Sequence, residues 1–179
     1  MKQKSTKSII FTAACIALCV VLPMAFHSIP GGGNIFLPMH IPVLLCGMVC
    51  AWPYGLVCGL LGPALSSIIT SMPPAAILPS MMVECATYGA VAGILMAVVR
   101  TKKTWLDLYI SMIVAMFFGR FISGVVQSLI LAPGTPMFAW VTTSLVKGLP
   151  GIAIQLVLLP TLVYALTRAK LLPRRYNHE

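Results

Sequence analysis

Apolar residues in this chain fall in long continuous runs, without the strict alternation of a half-buried strand. Pro, Gly and charged residues divide the runs at roughly 9–26, 36–51, 54–71, 76–99, 105–131 and 138–167. About 20 apolar residues suffice for a helix to cross a bilayer. Only helices and closed barrels satisfy their backbone in lipid, and continuous runs exclude the barrel. The pattern therefore predicts an all-α membrane protein: one domain over residues 1–179, with six transmembrane helices in a compact bundle. Only Ala51-Trp52-Pro53-Tyr54 separates the second and third runs. Pro restricts the residue before it and ends a helix, so these two should form a tight antiparallel pair.

Composition strengthens this reading. The chain is 59% apolar and 8% charged, with a mean hydropathy of +0.99, whereas soluble domains carry about 25% charged residues. No Lys, Arg, Asp or Glu occurs between Ser8 and Val83. With six spans, one side holds Lys2, Lys4, Lys7, Arg100, Lys102, Lys103, Arg168, Lys170, Arg174 and Arg175, which is ten of the twelve cations, and the opposite loops hold none. Basic residues collect on the cytoplasmic side, so both termini should be cytoplasmic. An odd number of spans would put the basic ends on opposite faces. The net charge of +9 is thereby explained by topology, and nucleic acid is not an expected partner. Lys2, Lys4 and Lys7 precede an apolar run as in a signal peptide, but no A-x-A site follows, so the first run reads as an uncleaved span.

Several chemistries are excluded. There is no GxxxxGK[ST] loop to hold ATP, so energy for any transport must come from elsewhere. The six cysteines, Cys15, Cys19, Cys46, Cys50, Cys58 and Cys85, lie in apolar runs without CxxC spacing and read as buried thiols. No metal and no cofactor is expected. Acid/base catalysis needs a second carboxylate, yet Asp107 and Glu179 lie near the cytoplasmic face or in the tail. Ser66, Ser67 and His40 lack the setting of a nucleophile and its base. The chain should not be an enzyme.

Ionisable residues inside apolar runs carry the strongest functional signal, because each costs at least about 2.5 kcal/mol at a helix centre unless paired or hydrated. Glu84, Arg120 and Lys147 qualify. At 1.5 Å per residue, Glu84 and Lys147 lie roughly 10 Å below the outer surface and Arg120 somewhat deeper. They either face one cavity or pair only to hold the bundle together. One surplus positive charge favours an anionic ligand, and Arg offers a planar fork for a carboxylate. His40, Tyr88 and Gln127 are further candidate hydrogen-bonding groups, each equally readable as a satisfied core residue. The Gly- and Pro-rich segment from His27 to Pro38 reads as a mobile lid or a plain connector, with Asn34 as a lid contact. Trp140 reads as an interfacial anchor, and the eleven methionines as pliable core or pocket lining. Ala13 and Ala17 form a small face for close helix packing, and Gly55 with Gly59 and Gly89 with Gly93 repeat that spacing. Such pairs serve either internal packing or docking of a partner.

Several of these features occur together in one family. The length, the six spans with both ends inside, Ala13-xxx-Ala17 and the glycine-rich first loop accompany the run Leu37-Pro38-Met39-His40-Ile41-Pro42-Val43-Leu44-Leu45-Cys46-Gly47. Gly62-Pro63, Met72-Pro73-Pro74 and Glu84-x-x-x-Tyr88-Gly89 follow. The whole chain resembles the substrate-binding S component of an energy-coupling factor (ECF) transporter. That resemblance implies a high-affinity binder of a vitamin or related micronutrient that docks on a transmembrane coupling subunit carrying two ATPase subunits. Docking would use Ala13 and Ala17, the first loop would gate the ligand, and the whole component would topple in the membrane during transport. Pantothenate or another acidic vitamin would suit Arg120 and Lys147, while cobalamin, folate or a pyrimidine- or pyridoxine-like compound would also fit a Met-lined cavity. From a different class, a membrane scaffold or assembly factor would use the same charges structurally.

Overall fold

The computed structural model describes residues 2–26, 32–101, 103–134 and 136–169, with the side chains of residues 2–5 and of Asn34 excepted. Part of the expected lid, residues 27–31, therefore lies outside the described residues, as do Lys102 and the basic tail from Lys170. The elements are α1 (Lys2–Ala25), α2 (Gly32–Phe36), α3 (His40–Cys50), α4 (Trp52–Thr70), α5 (Leu78–Val98), α6 (Thr104–Val126), a π-helical turn (Gln127–Leu131) and α7 (Met137–Arg168). No strand occurs among the described residues.

Among the described residues, five helices have the length and apolarity to cross a membrane: α1, α4, α5, α6 with its π turn, and α7. The expected span at 36–51 folds differently. A left-handed Leu37 (φ 50°) and Pro38 part its start from the rest: Phe36 ends α2, a short helix in the Gly- and Pro-rich segment, and helix resumes as α3 at His40. With 11 residues, α3 rises only about 16 Å, roughly half the hydrocarbon thickness. All of α3 except Ile41 is buried, as expected for a helix that is apolar all round and sits at the centre of a bundle. It packs against α1, α4 and α5. The long helices instead show Ile, Leu, Val and Phe outward, among them Ile10, Ile68, Phe117 and Val157. Water disfavours such a surface and lipid accepts it, so the chain is a multi-pass membrane protein.

Glycine sets the spacing of the three central helices. A Cβ on Gly89 would run into the Gly55 carbonyl, one on Gly55 would lie 2.6 Å from the Cα of Gly47, and one on Gly93 would lie 2.5 Å from the Cα of Trp52. A Cβ on Gly59 would lie 2.5 Å from the backbone nitrogen of Ala86. The Gly55/Gly59 and Gly89/Gly93 pairs are therefore internal packing faces. Ala13 and Ala17, by contrast, are exposed on α1. Ala51 alone joins α3 to α4, the tight pair expected from Trp52-Pro53, and adopts φ 85° and ψ 167°. All six cysteines are buried free thiols. Asp107 fastens the α5–α6 corner, accepting hydrogen bonds from the Thr101 backbone nitrogen (2.9 Å) and hydroxyl (2.7 Å).

Candidate functional site

The charged groups predicted from sequence meet near one end of the bundle. On α5 and its N-cap, Ile77, Ser80, Met81 and Glu84 follow the i, i+3, i+4, i+7 spacing of one helical face. On α7, Trp140, Thr143, Ser144 and Lys147 repeat that spacing. Together with Leu37, His40 and Arg120, these two stripes wall a cavity of about 270 Å³. Each stripe follows from helical geometry alone, because a residue that recurs at this interval returns to the same side.

Glu84 is the hub. Its Oε1 accepts a hydrogen bond from the Tyr88 hydroxyl at 2.8 Å, lies 3.5 Å from His40 Nε2, and is 4.0 Å from Arg120 Nε. The His40 and Tyr88 rings pack 5.0 Å apart at their centroids, which holds the imidazole toward the carboxylate. Arg120, only 3% exposed, donates from one terminal nitrogen to the Ser144 carbonyl of α7 at 2.7 Å. Its Nε has no hydrogen-bond partner, and neither does Nδ1 of His40. A Cβ on Gly148 would lie 2.8 Å from the other terminal nitrogen of Arg120, so glycine there leaves room for the fork. Lys147 lies exposed at the cavity wall. The site thus sets one carboxylate, Glu84, against two basic side chains, Arg120 and Lys147, an arrangement that suits an anion.

The remaining candidates are placed differently. Tyr88 stands behind Glu84 as its hydrogen-bond donor and does not line the cavity. Gln127 lies in the π turn beyond the cavity, with its side-chain oxygen buried and unpaired. Of Asn34 only the backbone, within α2, is described. The structure also brings in residues that sequence reasoning passed over. Ser80, Thr143 and Ser144 share the cavity walls, and Trp140, expected as an anchor at the interface, shares them too. Gln155 is buried and donates to the Leu37 carbonyl at 3.3 Å, tying α7 to the bend between α2 and α3. The stripe spacing upward from Lys147 would have found Thr143 and Ser144.

Comparison with known proteins decides the family. A family model described as "ECF transporter, substrate-specific component" matches residues 7–163. The chain belongs to this family. It is therefore a substrate-specific membrane component of ECF importers, a transporter family and not an enzyme family, and the scaffold alternative gives way. S components of this family bind small-molecule substrates and work with the ECF transmembrane and ATPase modules. No curated protein and no solved structure matches the chain. In this S component the cavity is walled by α5, α6, α7, the α2–α3 bend and the first residue of α3, so three long helices and the segment around Leu37 and His40 shape the site.

Proposed function

We propose that this S component binds an acidic B-group vitamin in the Glu84–Arg120–Lys147 cavity and delivers it to an ECF coupling subunit carrying two ATPase subunits. The reading rests on the surplus of positive charge in the cavity wall, where the buried Arg120 and the exposed Lys147 stand against the single carboxylate of Glu84. Arg120 and Lys147 take the carboxylate of the ligand, while Glu84 and His40 meet its hydroxyl or amide groups. Tyr88 positions Glu84. Pantothenate, with one carboxylate and several hydrogen-bonding groups, is the first compound to try. Other acidic vitamins follow, then folate, cobalamin and pyrimidine- or pyridoxine-like compounds. The topology proposed with it has six crossings, in which α2 and α3 together form the second, and both termini on the cytoplasmic side of a prokaryotic plasma membrane. The placement of ten of the twelve cations in the membrane-flanking segments of one side supports this. The exposed Ala13–Ala17 face of α1 supports docking on the coupling subunit.

The test is the thermal midpoint of the purified protein in detergent against a panel of B-group vitamins. A ligand at about 100 times its Kd adds about 2.7 kcal/mol to the folded state. For a chain of this length that is a rise of roughly 5–11 °C. A concentration-dependent rise with one acidic vitamin is the expected result. A flat response across the whole panel overturns the vitamin assignment.

A further inference from the structure

A second cavity of about 150 Å³ adjoins the charged one, and the two share Ile77 and Met81 as walls. The walls that belong to it alone include Pro23, Phe26, Pro38, Met39 and Pro73, and no lining side chain carries a charge or a hydrogen-bonding group. Pro fixes its own φ and stiffens the wall, while Met adapts to the shape of an occupant. Small-molecule pockets span about 300–1,000 Å³. Neither cavity reaches that range alone, and the two side by side do.

The geometry points to a two-chambered site whose ligand is an amphipathic acid: a carboxylate held by Arg120 and Lys147, and an apolar ring or short chain that passes Ile77 and Met81 into the Pro- and Met-lined chamber. This inference rests on the acidic-ligand reading above. Ile77 and Glu84 stand seven residues apart on one face of α5, about 10 Å at the helical rise, and the ligand spans that length. Within the acidic compounds, an apolar body that fills the second chamber adds to the affinity that the carboxylate supplies. Gly33 lines the apolar chamber, and a Cβ built on it meets nothing within 4 Å, so a larger side chain there fills the chamber without disturbing the fold.

The test compares propionate with 5-phenylvalerate, the same head group without and with an apolar body. Each is titrated at constant ionic strength against the full-length protein in lipid nanodiscs. Wild type should bind 5-phenylvalerate at least ten-fold more tightly than propionate. Gly33→Leu should bring that ratio close to one and leave propionate unchanged, and Arg120→Gln should weaken both acids at least ten-fold. Equal affinity of the two acids for wild type, or a ten-fold preference that survives in Gly33→Leu, overturns the apolar chamber while the acidic site stands. A preference that survives in Arg120→Gln with undiminished affinity sinks the acidic site and with it the two-chambered ligand. Failure of both acids to bind wild type overturns both readings.

Discussion

Removing the charge of Arg120 separates its two duties. In Arg120→Gln the Ser144 carbonyl loses a charge-assisted hydrogen bond of 2.7 Å and Glu84 loses a cation 4.0 Å away. Two unit charges at that separation interact by about 4 kcal/mol at the effective dielectric of a protein site. Removing one partner of a buried pair costs roughly 3–5 kcal/mol, because the other charge stays behind. For 179 residues this lowers the thermal midpoint by roughly 6–20 °C. Glu84→Gln removes the other partner and should cost a similar amount. The double variant leaves no stranded charge, and its loss should fall short of the sum of the single losses by about 1–3 kcal/mol. The assay is thermal unfolding of all four proteins in the same detergent. Ligand binding should fail in both Arg120 variants even where stability recovers, since no guanidinium remains to meet the carboxylate. Strict additivity of the midpoint shifts would refute the coupling of Glu84 to Arg120. Retained ligand affinity in the double variant would refute the role of Arg120 in binding.

Three further variants probe the scaffold and its docking. Ala51 adopts φ 85° and ψ 167°, a region suited to glycine that costs other residues about 1–3 kcal/mol; after the entropy cost of glycine, Ala51→Gly should raise the thermal midpoint by a few degrees. Gly89→Ala should lower it by roughly 2–12 °C, because its Cβ meets the Gly55 backbone, which has no rotamer to give way, and such overpacking costs about 1–3 kcal/mol. An unchanged midpoint in either variant would contradict the corresponding backbone geometry. Ala17→Trp adds bulk on the exposed face of α1 and should abolish co-purification with an ECF coupling subunit while vitamin binding persists; intact co-purification would remove that face as the docking surface.

Much of the helical layout was legible because apolar runs and their punctuation report directly on segments in lipid. The run expected at 76–99 folds as Leu78–Val98, and that at 138–167 as Met137–Arg168. The segment at 36–51 was not legible as it stands, because hydropathy does not distinguish a lipid-facing span from an equally apolar helix buried by its neighbours. Pro38 marked the break, but the left-handed turn at Leu37 and the Gln155 side chain that reaches its carbonyl are tertiary facts. The glycine pairs were undecided for a related reason. Spacing shows that two backbones have room to approach, and only the partner's position tells whether they lie in the same chain.

Charge was the most legible part of the site, for an energetic reason. A carboxylate and two cations in apolar helices are tolerable only where they meet each other, water or a ligand, so three scattered residues were enough to predict a meeting point. Ser80, Thr143 and Ser144 carry no such penalty, since hydroxyls in a helix can bond to carbonyls of their own preceding turn. They gave no signal until Lys147 fixed the phase of its stripe and the cavity showed which face mattered. The same reasoning explains the expected selectivity. Glu84 already gathers Tyr88, His40 and Arg120 around one oxygen, so in the proposed site the surplus positive charge offered to a ligand carboxylate is that of Lys147, exposed at the cavity wall. A ligand cation finds the single carboxylate already engaged by those three groups.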